Sequence, residues 1–157
     1  MAWSPDGKLL AHGNQDSTVH FWFAESGKEL QMSGFPSKVR ELSWDCTSRY
    51  LATGGAPVVC VWDCSGAGPE GSKPQMLLED DSESAVTGLA WQRRGFLLAS
   101  INNDGHIRLW QPANRKDQLV GTDRFPDAEA STLAWSPDDK ALAVGSGVGG
   151  LAVYRVG

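Results

Sequence analysis

The seven tryptophans of this chain occupy only two columns of one repeating register. Trp3, Trp44, Trp91 and Trp135 are separated by 41, 47 and 44 residues, and Trp22, Trp62 and Trp110 follow the first three of them after 19, 18 and 19. The eighth cell of this grid holds Tyr154, 19 residues after Trp135. A dipeptide recurs at a fixed offset inside each unit: Leu10-Ala11, Leu51-Ala52, Leu98-Ala99 and Leu142-Ala143. Each column therefore asks for one size of side chain. A repeat of this length marks a supersecondary unit that buries its faces against its neighbours rather than alone.

Within each unit the apolar period is two, which marks strands and excludes amphipathic helices. Val19 and Phe21, Val59 and Val61, Ile107 and Leu109, and Leu151 and Val153 alternate with His20, Cys60, Arg108 and Ala152 just before the closing aromatic. Turn residues punctuate on schedule. Ser4-Pro5-Asp6-Gly7, Asp45-Cys46-Thr47-Ser48, Gln92-Arg93-Arg94-Gly95 and Ser136-Pro137-Asp138-Asp139 separate a first strand from a second. Asn14-Gln15-Asp16-Ser17 and Asn102-Asn103-Asp104-Gly105 separate the second from the third, and short stretches at Glu29 to Met32, Met76 to Glu79 and Gln118 to Val120 fit a fourth, outer strand. The unit reads as a four-stranded meander.

Composition supports this reading and narrows the partners. Glycine, at 18 of 157 residues, is well above the usual ~7 %, as many tight turns require. The net charge of -5 repels phosphate backbones and anionic lipid, so neither nucleic acid nor a membrane is expected as a partner. No apolar run is long enough for a helical span, and no leader-like segment is expected at the start. Cys46, Cys60 and Cys64 are an odd number crowded into one segment, which suits reduced thiols and a cytoplasmic location.

With a period of about 40 to 45 residues, Leu-Ala-Trp-Ser-Pro-Asp before the second strand and Trp-Asp at the end of the third, the chain resembles the WD-repeat family of β-propellers. Trp62-Asp63 is the literal dipeptide. The resemblance implies an all-β fold of four antiparallel blades, one partial propeller over 1–157 with blades at 1–32, 38–79, 85–120 and 129–157. It also implies that the first and last blades are incomplete, as part of a ring of about seven. Either the chain is an excerpt of a longer protein, or two copies close into an eight-bladed ring. In both cases the exposed terminal blades offer surfaces for self-association.

The family's Gly-His, Ser or Thr, Asp and Trp network is incomplete in every unit. The third has Ser100, Asp104 and Trp110 without the histidine; the first has Asp16 and Trp22 with His12 in place of the hydroxyl. The second keeps Thr53 and Trp62, and the fourth has Val144 and Tyr154. Packing is therefore expected to hold the blades more than this network does.

No cofactor, metal or catalytic set is expected. Cys60 and Cys64 lack the paired spacing and fourth ligand of a zinc site, and Cys60 shares a strand column with His20, Arg108 and Ala152. His12, His20 and His106 have no repeated carboxylate or cysteine partner. The glycine-rich Gly145 to Gly150 precedes a strand, so it reads as a loosened hairpin turn rather than a phosphate cradle. Glu79-Asp80-Asp81-Ser82-Glu83 lacks calcium-loop spacing and reads as a solvated loop.

The resemblance implies a non-catalytic scaffold that binds a protein or peptide through loops at the narrow face. Carried over column by column, the partner-binding residues are Lys38 and Arg40, Ala85 and Thr87, Glu129 and Ser131, with Gln15 and Asn103. Lys38 and Arg40 together suit an acidic partner. Two alternatives stand beside this reading: a sensor segment of a larger signalling enzyme, and a propeller enzyme or small-ligand binder using the central channel. The last needs matching polar columns facing inward, and none is found.

Overall fold

The computed structural model describes all residues except 36, 78–82, 113–117 and 127–128. Among the described residues fifteen strands form four antiparallel sheets, each a meander in chain order. The first holds β1 (Ala2–Trp3), β2 (Leu9–Gly13), β3 (Val19–Phe23) and β4 (Glu29–Met32). The second holds β5 (Leu42–Trp44), β6 (Tyr50–Thr53), β7 (Val59–Asp63) and β8 (Gln75–Leu77). The third holds β9 (Val86–Trp91), β10 (Leu98–Asn102), β11 (His106–Trp110) and β12 (Leu119–Arg124), and the fourth β13 (Ala130–Trp135), β14 (Ala141–Ser146) and β15 (Leu151–Arg155). Two outer strands differ from expectation. β8 begins one residue earlier, and β12 runs to Arg124 because its residues pair with the whole length of β11, across a bulge at Leu109/Trp110.

The columns become rows across each sheet. Trp3 faces Leu10 and Leu10 faces Trp22; the same register repeats as Trp44, Leu51 and Trp62, as Trp91, Leu98 and Trp110, and as Trp135, Leu142 and Tyr154. One residue on, Ala11 faces Ala2 and Phe21, and Ala52 faces Ser43 and Val61, so the opposite side of each sheet is small in the middle. A bulky aromatic row on one sheet can then press into a small-residue row on the sheet before it, close-packed without voids.

The core clusters show that it does. Leu9, Ala11, Val19 and Phe21 of the first sheet pack with Trp44, Leu51 and Trp62 of the second. Ala52, Val59 and Val61 pack with Trp91, Leu98 and Trp110, and Ala99, Ile101 and Ile107 with Trp135, Leu142 and Val144. The first strands of successive sheets, β1, β5, β9 and β13, also lie against one another, so the sheets fan from an inner edge. Close approach at that edge requires glycine: a Cβ on Gly13 would fall 1.9 Å from the carbonyl oxygen of Val39.

Two indoles stitch neighbouring sheets. Trp44 Nε1 donates to the Ala2 carbonyl at 3.1 Å, and Trp135 Nε1 to the Ala90 carbonyl at 2.9 Å. The closing indoles of the two middle sheets bond within their own sheet, Trp62 Nε1 to Thr53 Oγ1 at 3.3 Å and Trp110 Nε1 to Ser100 Oγ at 2.8 Å. The family network is thus partly formed where the hydroxyl is present, which is more than the incomplete motif suggests. His106 Nδ1 also lies 3.0 Å from Asp104 Oδ2, and His20 Nδ1 lies 2.6 Å from Glu29 Oε1, so these two histidines do have carboxylate partners. The carboxylates come from different columns.

Candidate functional site

Both faces of an inner sheet are consumed by stacking, so only the strand ends are available for recognition. The loops entering each first strand and the turns after each second strand lie at one end; the turns after each first strand lie at the other. All eight partner-binding positions read from the sequence fall at the first of these ends.

Four of the eight come together. Thr87, Asn103, Glu129 and Ser131, with Ala130 and Gly147, line an opening of about 330 Å³ between the third and fourth sheets. Gly147 occupies in the fourth unit the column that Gln15 and Asn103 occupy in theirs, so the repeat alone could have added it. Lys38, Arg40 and Gln15 are exposed but do not line this opening. Lys38 and Arg40 flank the buried Val39, as alternation along an extended chain demands. Arg40 also acts on Glu41, whose carboxyl is pushed up by burial against the opposing pull of Arg40 and the Met1 amino group.

On the third-blade side, the turn that carries Asn103 is fixed by hydrogen bonds. Ser84 Oγ donates to Asn103 Oδ1 at 2.9 Å and accepts from the Asp104 amide at 3.2 Å. Beneath it the buried Arg108 donates from Nη1 to Asn102 Oδ1 at 2.8 Å, and Asn102 Nδ2 donates to the Ser84 carbonyl. Ser84 is the hub the sequence reading missed, although Ser37 stands in the same column of the second unit, seven residues before its first tryptophan. Thr87 differs from its assigned role: its hydroxyl proton goes to the Ala130 carbonyl at 2.9 Å, bridging the two sheets, so the residue supports the opening more than it offers a free donor. Among the described residues Ser131 Oγ reaches only the Gly145 carbonyl, at 3.4 Å, while Glu129 and Asn103 are exposed.

Among the described residues no cluster of three or more His, Cys, Asp or Glu side chains could hold a metal ion, and the three cysteines are unpaired. Residues 79–82 of the acidic run lie outside the described residues. The stretch from Ser146 to Gly150 closes as a hairpin turn with Gly149 at φ 94°, followed by β15. Among the described residues no helix is long and apolar enough to cross a membrane.

Comparison with known proteins agrees with this geometry. Residues 1–47 match the family model of the anaphase-promoting complex subunit 4 WD40 domain, and residues 72–111 match the WD domain, G-beta repeat. Cell division cycle 20.4, a cofactor of the APC complex from Arabidopsis thaliana, is 32% identical over 94% of this chain and 33% of its own length. The WD repeat-containing protein slp1 of Schizosaccharomyces pombe is 29% identical over 92% of this chain and 28% of its own. The chain spans about a third or less of the length of the curated relatives it matches. A chain in the crystal structure of the mitotic checkpoint complex superposes with a TM-score of 0.81 at 27% identity, covering 98% of this chain and 46% of that one.

Proposed function

We propose, from the premise that this chain is a member of the WD-repeat family of β-propellers, that it is a non-catalytic docking module for a protein or peptide partner. The convergence of Thr87, Asn103, Glu129 and Ser131, from separate loops of two blades, on one opening carries the reading. Rigid sheets hold the loops, the loops hold polar groups, and shallow polar openings of this kind suit a peptide segment better than a small molecule. The relatives above include a cofactor of the APC complex, and a structural neighbour sits in the mitotic checkpoint complex. By analogy this chain works inside a multi-protein assembly, in the cytoplasm. Its terminal rows add a second means of association: Trp3 and Trp22 on the first blade are 56% and 38% exposed, and Leu151 and Val153 on the last are 75% and 62% exposed.

The test is a pair of affinity captures from one lysate, with the chain and with its Asn103→Ala, Glu129→Ala, Ser131→Ala triple variant. These side chains are exposed, so the variant should melt at the same temperature as the parent. Proteins retained by the parent and lost by the variant are expected. Identical retention by both would sink the assignment of the opening.

A further inference from the structure

At the opposite end of the strands, the turn of the third blade breaks the pattern of its three counterparts. The residue five after the first tryptophan is Lys8, Arg49 and Lys140 in the other units, and Phe96 here. The residues at the turn tip are Pro5-Asp6, Cys46-Thr47 and Pro137-Asp138 elsewhere, and Arg93-Arg94 here. A polar turn has been replaced by two adjacent arginines and an aromatic ring. Both arginines are exposed, and Phe96 is 54% exposed.

The backbone of this turn is held from both sides. Arg93, Arg94 and Gly95 donate their amides to the Asp139 carboxylate of the next blade at 2.7, 2.8 and 3.2 Å. Gln92 Nε2 donates to the Asp139 carbonyl at 3.2 Å, and Cys46 Sγ of the preceding blade reaches the Gly95 carbonyl at 3.8 Å. The side chains are treated differently. Lys8, Lys28 and Arg49 at this end pair with Asp6, Glu70 and Asp63, whereas neither Arg93 nor Arg94 forms an ion pair with a described residue. Two cations and a ring are thus presented on a fixed platform, with their order already built in.

We propose that the Arg93-Arg94-Gly95-Phe96 turn, with the neighbouring Lys140, is a second docking site, for an acidic peptide segment that carries an apolar residue. Carboxylates meet the two guanidiniums in charge-assisted bonds, and the apolar residue covers Phe96. A peptide fits where an anionic membrane does not. Asp6, Asp63 and Asp138 stand at the same end of the blades, and a flat bilayer would press against all of them, whereas an extended segment touches one turn.

Fluorescence anisotropy decides it, using a short fluorescein-labelled peptide of Asp and Glu around a central leucine, and the same peptide with every acid replaced by its amide. The acidic peptide is expected to bind saturably, with affinity falling as salt is raised, and the amide peptide roughly tenfold or more weaker. Arg93→Gln with Arg94→Gln should weaken binding roughly tenfold, Phe96→Ala by severalfold, and Glu129→Ala not at all. Because Asp139 takes backbone amides, the arginine variant keeps the clamp and should fold as the parent does. Absence of saturable binding, equal binding of the amide peptide, or unchanged binding by the arginine variant overturns the proposal. So does sedimentation with phosphatidylserine vesicles through Arg93 and Arg94 while the peptide is ignored. The first two outcomes need no variant, and the Glu129 arm keeps failure here separate from failure of the opening at the other end.

Discussion

The indole of Trp91 separates two contributions that are usually entangled. Trp91 and Trp135 occupy one column, are 7% and 4% exposed, and pack the same way against the preceding blade. Trp135 Nε1 donates to the Ala90 carbonyl at 2.9 Å, while Trp91 Nε1 is buried without a partner among the described residues. The equivalent acceptor for Trp91 would be the Ser43 carbonyl; instead the Trp91 amide donates to Ser43 Oγ at 3.2 Å. Replacing each with phenylalanine removes a similar apolar area, so that cost cancels in the comparison. Trp135→Phe also forfeits a hydrogen bond of about 1 kcal/mol, while Trp91→Phe removes an unsatisfied donor whose burial costs roughly 1–3 kcal/mol. Trp135→Phe should therefore be the more damaging by about 2–4 kcal/mol, or roughly 4–16 °C in melting temperature for a chain of this size. Urea unfolding followed by far-UV circular dichroism measures both. Equal losses, or a larger loss at Trp91, would refute the argument that the indole N–H and not its bulk distinguishes the two sites.

Asp139 gives a pH-dependent counterpart. Burial pulls its carboxyl up, but the amides of Arg93, Arg94 and Gly95, with the charge of Arg94, outweigh it and hold the pKa below 3.8. A depressed carboxylate contributes stability above its unfolded value and loses it as pH falls through the folded one. Asn keeps the tolerance for φ 60° that Asp139 needs, so Asp139→Asn removes the charge and one of the two acceptor oxygens without adding backbone strain. It should cost about 1 kcal/mol at neutral pH, with the gap closing as pH drops below 3.8; a gap constant across that range would exclude the carboxylate. For the terminal rows, light scattering should show association that weakens when Trp3→Ser and Val153→Ser are combined. Monomeric parent protein at all concentrations would contradict association through these rows.

What the sequence disclosed and what it hid follow from the same physics. Bulk at the Trp and Leu columns and smallness at the Ala column are demands of shape, which few side chains meet, so they repeat as identities and can be read by eye. The acceptor that closes each first turn is a demand for one oxygen, which many side chains supply. Ser4 Oγ, Asp45 Oδ1, Gln92 Oε1 and Ser136 Oγ each accept the amide five residues on, at 2.9, 2.8, 3.1 and 3.0 Å. Four units solve the same problem with three residue types, so no column of letters shows it. The end of the second strand hides a compensated pair in the same way. Gly13, Gly54 and Gly145 give way to Ile101 in the third blade, and Gly88 then stands opposite Ile101 where a Cβ would meet its side chain at 2.8 Å.

Recognition in such a chain is confined by the stacking that stabilises it. An inner blade spends its aromatic row on the preceding blade and its small row on the next, leaving loops and turns as free chemistry. Those two ends are built unlike each other. At one, Ser84 gathers Asn102, Asn103 and Asp104 under an open rim, and Thr87 spends its proton on the blade beyond. At the other, clamps between turns fix the backbone: Asp139 on the third blade, and Ser48 Oγ accepting the Asp6 amide at 3.0 Å on the first. A side chain placed on a clamped turn is held in position without being held itself. Departures from the repeat at that end, as at Arg93, Arg94 and Phe96, are consequently free of the packing that dictates the columns.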